Sequence, residues 1–282
     1  MAAILPAWFF RPLSKAVTTA LLSCYSDQNR SLPLLRTRYE MKDFQPMNIV
    51  EASSGQEFAN IALDIVVGAL SISTNPVIIL PTGLTPLPIY REWAARYKAG
   101  EKKNSNFTYL QLDEYVGLPA DDERLFQNWL DREILSPLEI KNRIVFNSNA
   151  PDPSDEINRM TQKLREIESI DLAIVGMGMN GHVGFNEPDM PFDQICHIAD
   201  LTQVTIEENS KYWPQQKIAP KRAYTLGIET LKRAKKTLMI VSGKKKRDIC
   251  EAFLDSDVTP EIPVTYLHEM EDVTILHYNV WN

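Results

Sequence analysis

Residues 176–188 combine the residue types that acid–base chemistry on a bound ligand requires. Their glycines exclude an ordinary helix and let the backbone approach a ligand closely. His182 and Glu187 can be brought together by the turn between them, and such a pair can move protons near neutral pH. A dinucleotide site is disfavoured because the third glycine of its fingerprint is out of place, and a metal site is disfavoured because further ligands are missing. The segment therefore predicts an acid–base site.

Two adjacent acids, Asp113 and Glu114, directly follow the apolar stretch 108–112. A carboxyl group at the half-buried end of a strand can have its pKa raised by loss of solvent, which would suit a general base. The more common role of such an acid is to cap a helix or to stabilise a loop. The two residues by themselves leave both roles open.

Two polar segments, 81–86 and 242–246, could hold a phosphate group. Backbone N–H groups and the hydroxyls of Thr82 and Thr85 could surround an oxyanion at the start of a helix, and Lys246 could neutralise it. Taken alone, the first segment fits an ordinary strand-to-helix turn, and the second fits a solvated helix start. The two segments together favour phosphate.

The elements that must position these residues follow from the alternation of short apolar runs with amphipathic stretches. This pattern is typical of an α/β fold, and we predict an open, mostly parallel Rossmann-like sheet with helices on both faces. Ligands bind beyond the carboxyl ends of the strands in such a sheet, so all the segments above should share one rim. The predicted strands are 48–51 (at an edge), 77–80, 108–112, 171–175, 223–227, 237–241 and 264–267, and the predicted helices are 54–69, 88–98, 123–134 and 152–167.

Composition and charge exclude several classes of protein. The chain has 282 residues and a formal net charge of −7, which argues against the positive field that nucleic-acid binding needs. No apolar run approaches the roughly 20 residues of a membrane-spanning helix. Cys24, Cys196 and Cys250 form neither a disulfide framework nor a zinc pattern. We predict a cytoplasmic protein with neither a nucleic-acid nor a membrane partner.

The first 46 residues differ from the rest of the chain. Basic residues are scattered among apolar stretches, and no acid precedes Asp27. This composition resembles a targeting segment, or an extension upstream of a true start at Met41 or Met47. We predict two regions, an N-terminal extension over 1–46 that is disordered or wrongly assigned to the protein, and a single catalytic domain over 47–282.

Four motifs in order along the chain resemble the glucosamine-6-phosphate deaminase/isomerase family. They are PTGLTP at 81–86, LDEYVGLP at 112–119, GMGMNGHVGFNEP at 176–188 and the glycine–lysine segment at 242–246. That family includes galactosamine-6-phosphate isomerases and is related in fold to 6-phosphogluconolactonases. The resemblance implies an enzyme that isomerises an amino-sugar phosphate and releases ammonia, and we class the expected activity as hydrolase, isomerase and deaminase. It implies a sugar phosphate as partner and no cofactor or metal, and it leaves a homo-oligomer open.

The resemblance also implies roles for individual residues. Asp113 matches the base that moves a proton between C2 and C1 of the opened sugar. His182 matches the histidine that opens the ring, and Glu187 matches the carboxylate that holds it. The remaining predicted contacts are Thr82, Gly83, Leu84, Thr85, Lys211 and Lys246 to the phosphate, and Glu114, Gly178 and Gly181 to the rest of the substrate.

Asn180 and Lys211 depart from the family pattern. Glucosamine-type enzymes have Asp where this chain has Asn180, which can orient His182 in catalysis but cannot supply charge. Lys211 keeps the charge of the usual arginine but not its bidentate fork. Asn180 resembles the galactosamine branch, so we predict conversion of galactosamine 6-phosphate to tagatose 6-phosphate and ammonia. Conversion of glucosamine 6-phosphate to fructose 6-phosphate and ammonia is the alternative.

A 6-phosphogluconolactonase and a non-catalytic sugar-phosphate sensor are more distant alternatives. Residues after 188 lack the basic positions that bind an allosteric activator in bacterial glucosamine enzymes, so we expect no activation by an N-acetylated amino-sugar phosphate. We expect His268 and His277 to lie in late strands, and Trp93, Trp129 and Trp213 to be packing residues.

Overall fold

The computed structural model describes residues 37–38, 47–101, 105–211, 213 and 218–281. Apart from 37–38, the predicted extension over 1–46 lies outside these described residues, and so does Cys24. The predicted boundary between residues 46 and 47 stays a prediction.

The described residues form two β-sheets. The first has eight strands in the order β1-β2-β11-β10-β7-β3-β4-β6, and the second has three strands in the order β5-β9-β8. All neighbours in the first sheet are parallel except β1 and β2, whereas the second sheet is antiparallel. The strands are β1 (Thr37–Arg38), β2 (Asn48–Ala52), β3 (Val77–Leu80), β4 (Thr108–Gln111), β5 (Asp113–Tyr115), β6 (Arg143–Ile144), β7 (Leu172–Val175), β8 (Cys196–Asp200), β9 (Arg222–Leu226), β10 (Thr237–Ser242) and β11 (Val273–Tyr278).

Helices connect the strands and cover both faces of the first sheet. The helices are α1 (Gly55–Leu70), α2 (Leu87–Lys98), α3 (Phe126–Leu130), α4 (Pro153–Glu166), α5 (Gln203–Ser210), α6 (Ile228–Leu231) and α7 (Arg247–Asp255), with a π-helical turn at Asp131–Leu135 and 3-10 helices at Lys244–Lys246 and Pro263–Glu269. None of the helices described is long and apolar enough to cross a membrane. The predicted α/β fold with a mostly parallel sheet is confirmed.

Two hydrophobic clusters hold the helices against the sheet. Consecutive side chains of a strand point to opposite faces, so each buried strand contributes to both clusters. In β7, Leu172 and Ile174 pack with helices α1 and α2, whereas Ala173 and Val175 pack with helices α4 and α7. The sheet is thereby fixed from both sides, which makes the carboxyl ends of its strands a rigid base for a site.

The end of the chain differs from its predicted structure. Residues 264–267, predicted as a strand, lie in the 3-10 helix Pro263–Glu269, and the last strand of the first sheet is β11. The apolar run was too short for periodicity to separate the two structures, and Pro263 favours a helix start. As a result β2 lies between β1 and β11 and not at the edge of the sheet. His277 lies in β11 as predicted, but His268 lies in the 3-10 helix.

The chain leaves the first sheet at Leu112. Residues 108–112 were predicted as one strand, but β4 ends at Gln111 and β5 begins at Asp113 as part of the second sheet. The predicted strand at 223–227 is also in the second sheet, as β9, which pairs with β5 through Asp113 and Thr225. Asp113 therefore lies at the point where the two sheets diverge.

Candidate active site

A cavity of about 730 Å³ opens at the carboxyl ends of β3, β7 and β10. Residues 81–86, Asp113, residues 176–179 with His182, and residues 242–246 all line it. These are the four segments that the sequence predicted on one rim. Helices α3 and α5 close the remaining sides, mainly through Phe126, Trp129, Val204, Thr205, Glu208 and Asn209.

Glycines place the His182 ring in this cavity. A Cβ atom on Gly178 would lie 2.2 Å from Cε1 of His182, so only glycine lets the imidazole pack there. Gly181 has a φ of +83°, which a residue with a side chain rarely adopts, and the N–H of Gly178 donates to the carbonyl of His182 at 2.8 Å. The turn returns the chain over itself and directs the ring inward.

Asn180 fixes which nitrogen of His182 carries the proton. Nδ2 of Asn180 donates to Oε2 of Glu187 at 2.7 Å, because a carboxylate can only accept. The amide oxygen of Asn180 consequently faces Nδ1 of His182, also at 2.7 Å, and accepts its proton. Nε2 therefore carries no proton and can accept one. Thr202 supports the network by donating to Oε2 of Glu187 at 3.2 Å, so His182 is oriented as a base.

Burial keeps His182 uncharged. The side chain of His182 is 17% exposed, and burial lowers its pKa to about 4, an effect to which Lys246 adds. Glu187 opposes this shift from 3.8 Å without reversing it. At neutral pH the ring can therefore accept a proton from a ligand. It can donate a proton to the ligand only after it has accepted one.

Replacing Asn180 with Asp should raise the pKa of His182. A second carboxylate beside Nδ1 would stabilise the imidazolium, by about 1 to 3 pH units for an opposite charge at this distance. It would also repel Glu187, so the melting temperature should fall. An NMR titration of the His182 ring measures the change, with Asn149→Asp, at an exposed position, as the control. A pKa that stays near 4 in N180D would contradict this account of the network.

Asp113 faces the cavity and Glu114 does not. Asp113 is 8% exposed, and burial, aided by the nearby Glu114, raises its pKa well above the ordinary carboxyl value. Glu114, predicted to contact the substrate, is absent from the cavity lining, because adjacent side chains of a strand point to opposite faces. The substrate contact predicted for Glu114 stays a prediction, and in this structure its side chain lies outside the cavity lining. The raised pKa of Asp113 fits the general base that was predicted at this position.

Lys246 and Lys211 supply positive charge to the cavity. Nζ of Lys246 donates to the carbonyl of Met177 at 2.6 Å, and burial lowers the pKa of this lysine. Lys211 also lines the cavity and pairs with Glu208 at 2.5 Å. The two predicted phosphate segments meet directly, because Oγ1 of Thr85 lies 3.0 Å from Oγ of Ser242. Thr82, Gly83 and Leu84 also line the cavity, so all six predicted phosphate-binding residues border the same space.

Three predicted site residues lie behind the cavity. Asn180 and Glu187 are not in its lining and act on His182. Gly181, predicted to contact the substrate, is also outside the lining, and a Cβ atom there would lie 2.8 Å from Ile262. The substrate contact predicted for Gly181 stays a prediction, whereas Gly178 does line the cavity.

Sequence reasoning missed the walls that α3 and α5 provide. Trp129 and Trp213 were predicted as packing residues, yet both line the cavity. Thr205 was not predicted at all, although its Oγ1 lies 3.3 Å from Nδ1 of His182. The available signal was Thr202, which caps α5 by accepting from the N–H of Thr205 and so places that helix at the site.

Comparisons with known proteins agree with this geometry. Residues 51–276 match the family model for glucosamine-6-phosphate isomerases/6-phosphogluconolactonase. The chain is 32% identical over 232 residues to glucosamine-6-phosphate deaminase of Thermoanaerobacter sp. (strain X514), covering 82% of this chain and 92% of that one. It is 31% identical over 232 residues to glucosamine-6-phosphate deaminase 1 of Bacillus subtilis (strain 168), covering 82% and 96%.

Solved structures divide into two groups. A structure described as a monomeric glucosamine-6-phosphate deaminase has a TM-score of 0.78 and 30% identity, covering 82% of this chain and 97% of that one. The 6-phosphogluconolactonase of Thermotoga maritima has a TM-score of 0.64 and 18% identity, covering 82% and 98%, which shows a shared fold alone. The hydrolase class predicted from the sequence is therefore wrong, because the relatives above 30% identity are named deaminases and the lactonases are far more distant.

Proposed function

The chain belongs to the family of glucosamine-6-phosphate isomerases and 6-phosphogluconolactonases, and on that premise we propose that it converts glucosamine 6-phosphate to fructose 6-phosphate and ammonia. The observation that carries this proposal is one cavity lined by a buried carboxyl at Asp113, an unprotonated Nε2 at His182 and the cation of Lys246. Isomerisation of an amino-sugar phosphate needs each of these three features.

His182 starts the reaction by opening the sugar ring. Its Nε2 accepts the proton of the anomeric hydroxyl, and the imidazolium then returns that proton to the ring oxygen as the C1–O5 bond breaks. Asn180 accepts the Nδ1 proton throughout, so the imidazole cannot rotate or change tautomer. The product of this step is the open-chain amino-aldehyde.

Asp113 then moves a proton from C2 to C1. A carboxyl with a raised pKa is a stronger base once ionised, and it can return the proton to the neighbouring carbon. As C2–H moves to C1, O1 takes up a proton given up by the amino group, which leaves an imine at C2. Water then adds to C2 and the C2–N bond breaks, so that C2 becomes a ketone and the nitrogen leaves as ammonia. The phosphate end fixes the substrate so that C2–H meets Asp113, which converts remote binding energy into orientation.

The glucosamine alternative replaces galactosamine 6-phosphate as our preferred substrate. The relatives at 31% and 32% identity are both named for glucosamine 6-phosphate. Asn180, which motivated the galactosamine prediction, does not line the cavity, so it cannot contact the C4 hydroxyl that distinguishes the two sugars. Comparison of kcat/KM for the two sugars tests the choice, and a higher value for galactosamine 6-phosphate would contradict it.

Lys246→Met should lower kcat/KM by about 100-fold, mainly through KM. Methionine keeps the length of the side chain but removes a partly desolvated cation, and charge-assisted bonds to phosphate are among the strongest polar contacts. Inhibition by inorganic phosphate should weaken in parallel. Lys232→Met is a matched control, because Lys232 pairs with Glu229 and Glu269 and does not line the cavity. An unchanged KM in K246M would remove the phosphate assignment.

Several sequence predictions remain predictions. They are the cytoplasmic location, the lack of nucleic-acid and membrane partners, the reaction without metal or organic cofactor, and the absence of activation by an N-acetylated amino-sugar phosphate. The homo-oligomer also stays open, although one solved relative is described as monomeric.

A further inference from the structure

Glu114 is a buried carboxyl group beside the proposed base, and the mechanism above gives it no role. It is 1% exposed, and its two oxygens accept four hydrogen bonds of 2.9 to 3.0 Å. The donors are Nε2 of Gln111 and the backbone N–H groups of Tyr115, Phe126 and Gln127. We propose that Glu114 is a positioning residue that ties Asp113 to the aromatic wall of the cavity and places a second negative charge behind it. This inference rests on the proposed function of Asp113.

The hydrogen bonds of Glu114 join two walls of the cavity. Helix α3 begins after Leu125, which cannot cap it with a side-chain hydrogen bond, so its first N–H groups need another acceptor. Glu114 supplies that acceptor from β5, the strand that carries Asp113. Because Phe126 and Trp129 of α3 line the cavity, Glu114 fixes the distance between this aromatic wall and the carboxyl group of Asp113.

Two aromatic rings connect the Glu114 hydrogen bonds with His182. The ring centroid of Phe126 lies 5.8 Å from that of Phe185, and the Phe185 centroid lies 6.3 Å from that of His182. Aromatic pairs at such separations hold each other in preferred geometries. Glu114 therefore sets the position of one proposed proton-transfer group relative to the other.

The charge of Glu114 acts on Asp113. Burial raises the pKa of Glu114 to about 7, and the closeness of Glu114 is one cause of the raised pKa of Asp113. Tyr109 and Tyr115 are the other titratable groups near both acids, and burial raises the pKa of each, so neither carries charge at neutral pH. The two acids should titrate as a coupled pair.

A second cavity gives Glu114 its own environment. This cavity of about 390 Å³ is lined by Glu114 together with Ser148, Asn149 and Arg159, and Asp113 is not part of it. The guanidinium of Arg159 is paired with Glu156 at 2.6 Å. Strand β5 thus separates two cavities, with Asp113 facing the substrate and Glu114 facing the other side. The charge of Glu114 can change while substrate fills the first cavity.

Glu114→Gln tests the charge of this residue. Removing a like charge should lower the pKa of Asp113, so the base becomes ionised at a lower pH. The pH at which kcat/KM rises should therefore be about one unit lower than in the wild type. Asp171→Asn is the matched control, because Asp171 is 5% exposed and also accepts a backbone N–H, from Val77 at 2.9 Å, but lines neither cavity. It should lose stability and keep the wild-type pH profile. An unshifted profile in E114Q would overturn the proposal.

Two further measurements keep the inference testable if E114Q does not fold. Glu114→Asp keeps the charge but shortens the side chain, so kcat should fall about tenfold while the pH profile stays in place. A carboxyl-carbon NMR titration of Asp113 in the wild-type protein should show two coupled steps. A single uncoupled step would overturn the proposal, and it would do so independently of whether the protein releases ammonia from any sugar.

Discussion

Asp113→Asn is expected to lower kcat for ammonia release by about 10²- to 10⁴-fold without destabilising the protein. Asparagine has nearly the same size as aspartate but cannot accept the C2 proton. The Kd for inorganic phosphate should stay within about twofold of the wild-type value, because Lys211 and Lys246 are untouched. Steady-state kinetics and phosphate binding together measure the two effects.

The stability of D113N follows from the sign of the pKa shift. The pKa of Asp113 is raised in the folded protein, so the folded state holds this proton more tightly than the unfolded state does. The ionised carboxylate therefore costs stability, and this cost grows as pH rises from the ordinary carboxyl range towards the raised value. D113N removes the cost, so its melting temperature at neutral pH should be at least as high as that of the wild type.

Asp171→Asn is a control in which the protein should lose stability and keep its activity. Asp171 is 5% exposed, accepts from the N–H of Val77 at 2.9 Å and pairs with Lys235 at 2.8 Å, far from the cavity lining. D171N should lose stability and retain kcat. Ammonia release by D113N within a few-fold of the wild-type rate would exclude Asp113 as the base.

His182→Gln should lower kcat/KM by about 100-fold or more. Glutamine cannot accept and return the proton that ring opening requires, and the remaining rate would depend on spontaneous opening in solution. The loss should be nearly constant between pH 5 and pH 8, because the pKa of His182 is about 4 and the ring is already neutral throughout that range. Initial rates over this pH range measure the effect.

His277→Gln is the matched control for this substitution. His277 is 5% exposed in β11 and does not line the cavity. Its replacement should affect stability and leave kcat/KM near the wild-type value. A defect in H182Q that grew steadily from pH 8 to pH 5 would show that His182 acts in its protonated form, in conflict with the tautomer that Asn180 imposes.

The sequence predicted the loops that follow the strands better than it predicted the helices that close the cavity. Strands such as β3 and β7 are short apolar runs followed at once by glycine-rich or polar turns, so both the parallel sheet and its active rim could be read from local patterns. Helix α5 carries Thr205, and Lys211 follows it, but the helix is only weakly amphipathic. The Thr202 cap predicts where the helix begins and not which of its faces meets a ligand.

Long-range pairing explains the remaining errors. Whether 264–267 or β11 joins the sheet depends on competition for the edges of β10 and β2, which no local pattern records. The pair Asp113 and Glu114 is a second case in which local sequence does not decide the structure. A strand must send these two side chains to opposite faces, but only the tertiary structure decides which of them meets the cavity.

The central claim is that this cavity isomerises and deaminates glucosamine 6-phosphate, and one time course tests it directly. Purified protein is incubated separately with glucosamine 6-phosphate and with 6-phosphogluconolactone, and ammonia, ketose phosphate and released acid are followed together. We predict ammonia and fructose 6-phosphate in equal amounts from the amino sugar, and no lactone opening above the spontaneous rate. Lactone opening without ammonia release, or no turnover of the amino sugar, would contradict the proposed function.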